Sequence, residues 1–464
     1  MYTIPKEILN TLVSLSSLLS TKTILAAVSI IVFALIIDAY IPRISILVEN
    51  STNQNLELFA AISCSFILGQ YFILGFAKQI VAGIVVKERS FDLIKTGSAA
   101  VQYVLVALLL VIILEMTLVS FYSTSLVMFA SAISYSMAII IMILLAKKLI
   151  SWFRARRNYV LLWYGLSSIA LCINAALLLS FVTILSLNLP AEKAPQVGFV
   201  SRPNFAAGSL NSNLNIAYSI SSIASFMMTW VATSILLSHY SRRFGRVLFW
   251  VILSLPLLYF FGQFIALFLN PFSLPMLDPV SSASFLILFF LVSKPVAGIL
   301  FGIAFWDTAR KLHSKQIRNY LILAGAGLML FFISIQAATI DIFPYPPFGL
   351  PTALFAGLSS YLIIVGIYSS AMSLSQDIRL RQEIRTLALQ ETKLIESIAA
   401  AQLEQQTLNK VMTILKSNMS KMYQETGVQS SLSEEDIKRY LEIVLKEVKR
   451  KNTEKGDNAD DQSS

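Results

Sequence analysis

Apolar positions in this chain do not alternate with polar ones. They gather into runs of about 18–25 residues, at 23–41, 58–77, 99–121, 126–146, 159–187, 215–238, 247–269, 283–306, 319–337 and 351–373. A helix rises about 1.5 Å per residue, so about 20 apolar residues cross roughly 30 Å of hydrocarbon. Each run therefore predicts a transmembrane helix. The fold class that follows is an all-α polytopic bundle of about ten spans, 23–373, continued by a C-terminal helical arm.

Charge on the connections alternates. One set carries Lys6, Lys22, Lys78, Lys87, Arg89, Lys95, the run KKLISWFRARR, RRFGR at 242–246, and Arg310, Lys311, Lys315 and Arg318, eighteen basic residues in all. The other set carries only Arg43, Lys193 and Arg202. Cytoplasmic loops collect Lys and Arg, so the pattern predicts a multi-pass cell-membrane protein with both termini in the cytoplasm. The first 22 residues read as a retained amphipathic lead-in, since no small-residue cleavage site precedes the first run. The outer connections, near 42–57, 188–214, 270–282 and 338–350, are too short for a folded domain. KKLISWFRARR sets five positive charges beside Trp152 and Phe153 at the inner interface, where membrane lipid is the expected partner.

Composition agrees with this and removes other classes. The chain has 464 residues, 56% hydrophobic and 13% charged, with a mean hydropathy of +0.71. Its net charge of +10 sits in the membrane part, because residues 374–464 balance 14 basic against 15 acidic side chains. Nucleic acid is therefore not an expected partner. Cys64 and Cys172 lie alone in apolar runs, and His239 and His313 stand apart, so no metal site or cofactor is expected. No phosphate-binding glycine loop or nucleophile elbow occurs, and no catalytic activity is expected.

Polar residues inside the runs are the candidates for function. Lys294 stands near the middle of FLILFFLVSKPVAGILFGIAFW, with Pro295 after it freeing a backbone carbonyl one turn earlier. Glu115, in the outer half of 99–121, is its candidate partner; Asp38 and Gln70 complete the intramembrane set. Either Lys294 and Glu115 meet in the bundle, or Lys294 faces a wet cavity while Glu115 reaches outward.

Beyond the last run the period changes. Steps of four and three from Leu380 reach Ile384, Leu387, Glu391, Leu394, Ile398, Ala401, Gln405, Leu408, Met412, Leu415, Met419 and Met422, and eleven of these thirteen positions are apolar. That 3.5-residue repeat predicts a coiled-coil stalk over 374–426 that joins copies of the chain. The other reading is a hairpin closed by a second helix at 431–451, ahead of a polar, disordered tail at 452–464.

The stretch PYPPFGLPTALFAGLSSYLIIVGIYSSAMSLSQDIRLRQEIR resembles the last membrane helix and linker of multi-helix sensor regions of archaeal membrane proteins, including those attached to histidine kinases. The resemblance spans roughly residues 320–400 and implies a sensor passing a signal to a cytoplasmic partner protein. It does not imply kinase activity, because residues 374–464 contain no histidine and no glycine-rich nucleotide-binding domain. The expected function is a membrane sensor coupling the bundle to the arm without a catalytic domain of its own. The alternative is a transporter or channel with Lys294 and Glu115 in its pathway. The inverted-repeat transporters that break the first helix of each half are disfavoured, since 23–41 and 215–238 contain neither Gly nor Pro.

Overall fold

The computed structural model describes residues 21–44, 52–82, 89–155, 157–187, 190–193, 209–238, 279–310, 314–335, 345–376 and 392–426, with isolated positions at 247, 249–251, 253, 254, 257 and 312. The described helices are α1 Thr21–Ile44, α2 Thr52–Ala82, α3 Arg89–Val119, α4 Thr124–Ala155, α5 Tyr159–Leu187, α6 Leu210–Leu237, α7 Pro279–Arg310, α8 Lys315–Ser334, α9 Leu350–Gln376 and α10 Thr392–Thr426. Two short strands, β1 Tyr122–Ser123 and β2 Glu192–Lys193, pair antiparallel with Tyr122 opposite Lys193. Among the described residues seven helices, α2 to α6, α8 and α9, are long and apolar enough to cross a membrane. These coincide with predicted runs, as do α1 and α7; most of the run at 247–269 lies outside the described residues.

The surface is the reverse of a water-soluble bundle. Ile30, Phe33, Leu68 and Leu118 are each about two-thirds exposed or more on the outside, while Asp38, Gln70, Gln102 and Asn174 are buried within. Apolar flanks around a polar-bearing interior are consistent with a multi-pass membrane protein.

At the centre stands α9. From Leu350 to Ser375 all of its side chains except the half-buried Ser373 are buried, against α1, α2, α3, α4 and α8. Its small residues permit this, because without a water-driven hydrophobic force between helices, close approach of backbones supplies the packing. A Cβ on Gly366 would stand 2.5 Å from the carbonyl oxygen of Tyr320, and one on Gly327 would stand 2.8 Å from the backbone nitrogen of Ile363. The α7–α8 contact works the same way: a Cβ on Gly302 would stand 2.7 Å from the carbonyl oxygen of Gly325. Pro295 lies within α7, ahead of these glycines.

The chain divides into two units, Met1–Ile398 and Ala399–Ser464. Of the second, α10 is described as far as Thr426, and the predicted seam is its less exposed face. Ala401 and Met412 are buried and Leu408 and Leu415 half-buried, while Thr407, Lys410 and Ile414 are exposed. Ile398, the last residue of the first unit, is also buried. Leu380, Ile384 and Leu387, the side chain of Leu394, the lead-in before Thr21, the helix at 431–451 and the tail lie outside the described residues.

Candidate functional site

The most specific polar contact in the bundle is made at one end of α9. Asp38, near the end of α1, is fully buried and accepts the backbone N–H of Gly349 at 3.1 Å and that of Thr352 at 3.0 Å. The Thr352 hydroxyl lies 2.7 Å from the same carboxylate and 3.1 Å from the carbonyl of Leu35. The first N–H groups of any helix lack partners within it, and they carry the positive end of its dipole. A carboxylate from another helix here does the work of an N-cap, with charge added. Without those three bonds a buried carboxylate would cost several kcal/mol, on the order of the desolvation of an unpaired ion. Asp38 thereby ties the start of α9 to α1.

One turn further along α9, Ser134 of α4 enters the helix's own hydrogen-bond ladder. Its hydroxyl accepts the N–H of Gly357 at 3.2 Å and donates to the carbonyls of Ala353 at 2.9 Å and Leu354 at 3.0 Å. A hydroxyl inserted between residues i and i−4 marks a place where a helix can bend.

Below it lies an amide pair. Gln70 of α2 donates through Nε2 to the carbonyl of Gln102 on α3 at 3.1 Å, and Gln102 Nε2 faces the Met137 sulfur on α4 at 3.9 Å. Both amide oxygens are buried without a hydrogen-bond partner. Each such orphan costs about 1–3 kcal/mol.

A polar ladder runs between α5 and α6. Tyr164 meets Thr233 at 3.1 Å, Ser167 meets Thr229, and Asn174 donates to the carbonyl of Tyr218 at 3.1 Å and to the hydroxyl of Ser221 at 2.9 Å. Tyr218 in turn donates to the carbonyl of Ile335 at 2.8 Å, and Tyr135 to that of Ser334 at 3.4 Å, so hydroxyls from two helices meet the last carbonyls of α8.

Glu115 lies in the last turns of α3. Helix α3 stops at Val119, Ser120 turns with a φ of 61°, and the N–H of Ser123 comes back to the Glu115 carboxylate at 2.9 Å. The carboxylate thus closes the α3–β1 turn. Nearby, Tyr122 stacks on Tyr345 with centroids 6.2 Å apart, and burial pushes both phenols above their ordinary range. The Lys294 side chain lies outside the described residues, and so does any pairing it makes; its helix packs on α8 and α6, whereas that of Glu115 packs on α2, α4 and α9.

The opposite end of α9 has its own contacts. Tyr368 stacks on Phe91 at 5.0 Å and lies 5.1 Å beneath Lys148, a member of the KKLISWFRARR run. Asn158, which follows that run, accepts the N–H of Val160 at 3.0 Å to start α5 and donates to Ser397 of α10 at 2.8 Å.

Among the described residues no group of His, Cys, Asp and Glu is placed to hold a metal ion. The sequence singled out Asp38 and Gln70, and both are buried polar nodes. It overlooked Gln102, Ser134 and Thr352; the available signal for the last two was the density of Ser, Thr and Gly along α4 and α9. No family model, curated protein or solved structure matches the chain.

Proposed function

We propose that the chain is a membrane sensor that converts a change in its bundle into a movement of its C-terminal helical arm, without a catalytic domain of its own. The reading takes ten spans in the cell membrane, with both termini cytoplasmic and the Asp38 end outside. The carrying observation is the position of α9. It is the buried centre of the bundle, its first turn is gripped by Asp38, and it is the last span before the arm.

A helix buried on every side has no lipid-facing surface to absorb a displacement, so a shift in α1 or α4 acts on it through Asp38 or Ser134. At the other end, Lys148 and Phe91 bear on Tyr368, and Asn158 bears on Ser397. The stimulus is a small ligand, a lipid or a membrane state. The output is a cytoplasmic signalling protein or a second copy of the chain meeting the arm along its seam.

The test is a spin label on the arm. With Cys64 and Cys172 replaced by Ser, a label at Thr407→Cys, an exposed site, is read in otherwise wild-type protein and in Asp38→Ala, both reconstituted in lipid. A transmitting α9 gives different label mobility in the two proteins. Identical spectra from two folded proteins reject the coupling.

A further inference from the structure

Between Glu115 and Glu192 the sequence holds no acidic residue, so α4 and α5 carry their cations without an acid of their own. The structure gives the cations of KKLISWFRARR different surroundings. Lys148 is half-buried over the Tyr368 ring of α9, and Arg157 follows the end of α4. Lys147 and Arg154 are exposed, and neither forms an ion pair among the described residues. Ile140, Lys147 and Arg154 recur every seven residues, about two helical turns, and Ile143 lies one turn before Lys147, so all four share one face of α4. Ile140 is 59% and Ile143 52% exposed, as suits a stripe turned to lipid. That stripe changes from apolar to cationic at Lys147 without leaving its face. Tyr159, exposed at the start of α5 with its ring 6.3 Å from that of Phe153, is of the type that collects at the depth of lipid headgroups.

We propose that Lys147 and Arg154 form a binding site for the phosphate of an anionic membrane lipid whose acyl chains lie along Ile140 and Ile143. The two cations stand about 10 Å apart along the helix axis, and their long stems let both heads reach one phosphodiester between them. The guanidinium matches phosphate oxygens with its fork of donors, and the ammonium adds a point charge. An anionic lipid is favoured over a zwitterionic one, because a choline group would bring a further cation to a stretch of chain without an acid. Cations that serve only to fix topology need no register with a lipid-facing stripe, and these two keep it. The site rests on the membrane reading of the helices and stands whether or not α9 transmits a signal.

The experiment is thermal unfolding of the purified full-length protein in detergent with added phosphatidylglycerol, phosphatidylcholine or inorganic phosphate, at equal ionic strength. The expected result is a Tm several degrees higher with phosphatidylglycerol than with phosphatidylcholine, growing with the logarithm of lipid concentration as binding to the folded state requires, and no rise with inorganic phosphate. Lys147→Gln with Arg154→Gln loses most of that difference. Arg310→Gln with Lys315→Gln, which removes two exposed cations flanking the α7–α8 connection, keeps it. Equal wild-type Tm values in the two lipids overturn the proposal, and so does an undiminished difference in the first double variant. An equal loss in both double variants overturns it in favour of unspecific charge attraction, and a rise with inorganic phosphate as large as with the anionic lipid assigns the cations to a free anion instead. If the first double variant fails to fold, its two single replacements are read in its place.

Discussion

Thr352 gives both its backbone N–H and its hydroxyl to one carboxylate oxygen of Asp38, at 3.0 and 2.7 Å, across a sequence separation of 314 residues. One acidic side chain on α1 is thereby committed to the first turn of the most enclosed helix in the bundle.

Removing that acid leaves the N–H groups of Gly349 and Thr352 buried and unmatched. Asp38→Ala is expected to destabilise the protein by about 2–4 kcal/mol, the sum of a lost cap and a buried orphan donor. Asp38→Asn keeps one acceptor oxygen and loses less. Thr352→Val removes only the hydroxyl and costs about 1 kcal/mol. In unfolding measured in detergent, Asp38→Ala with Thr352→Val should lose less than the two singles added together, and strict additivity would show that the hydroxyl bond contributes nothing.

The seven described spans were legible because hydrophobic length alone distinguishes a helix that can cross a membrane. The arrangement was not, for a physical reason. Helices that are apolar all round do not say which face meets lipid and which meets a neighbour, so nothing in the hydropathy of 351–373 set α9 apart from the exposed α3. Its two glycines and six serines between 357 and 375 were the available cue, since small residues collect where backbones approach. Asp38 was legible as a polar residue out of place, but its partners were not, because two of its three bonds go to backbone N–H groups, which leave no mark in the partner's side chains, and the third goes to one threonine among many small polar residues. Glu115 shows the same limit: nothing in its run says that its carboxylate takes the N–H of Ser123 across the turn at Ser120.

Glycine substitutions should separate close packing from mere composition. Gly366→Ala drives a methyl onto the Tyr320 carbonyl and the Ala324 backbone, while Gly75 has open space where its Cβ would be. Gly366→Ala is expected to destabilise by about 1–3 kcal/mol, as overpacking does, and Gly75→Ala to be neutral or to stabilise by about 0.5–1 kcal/mol through helix propensity. Equal effects on Tm would mean that α8 and α9 part easily.

The α5–α6 ladder is expected to be modest glue. Hydrogen bonds between membrane helices average about 0.6 kcal/mol in double-mutant cycles, so Tyr164→Phe with Thr233→Val should show coupling of that order. Coupling above about 2 kcal/mol would exceed that range and point to a network tying the rungs together.

Sidedness is open to a direct test. Single cysteines at Ser201 and at Ser314, in protein lacking Cys64 and Cys172, should label from opposite faces of intact cells, Ser201 from outside. Labelling of both by an impermeant reagent applied outside would overturn the alternation on which the ten-span reading rests.

The arm offers the last prediction. The seam of α10 is buried at Ile398, Ala401 and Met412, whereas Leu408 and Leu415 on the same face are half-buried and Ile414 is 50% exposed. If the half-open row is where a second copy docks, Leu408→Cys and Leu415→Cys should each form interchain disulfides in reconstituted full-length protein, and Ile414→Cys should form none. Met412→Asp should abolish those cross-links, because it places a charge in the shielded part of the seam, while Ile414→Asp should leave them unchanged. Cross-links at Ile414 as strong as at Leu408 would show that the copies meet without register. Their absence at all three sites would mean that the seam closes within a single chain, and the output of the arm would then have to be a different protein.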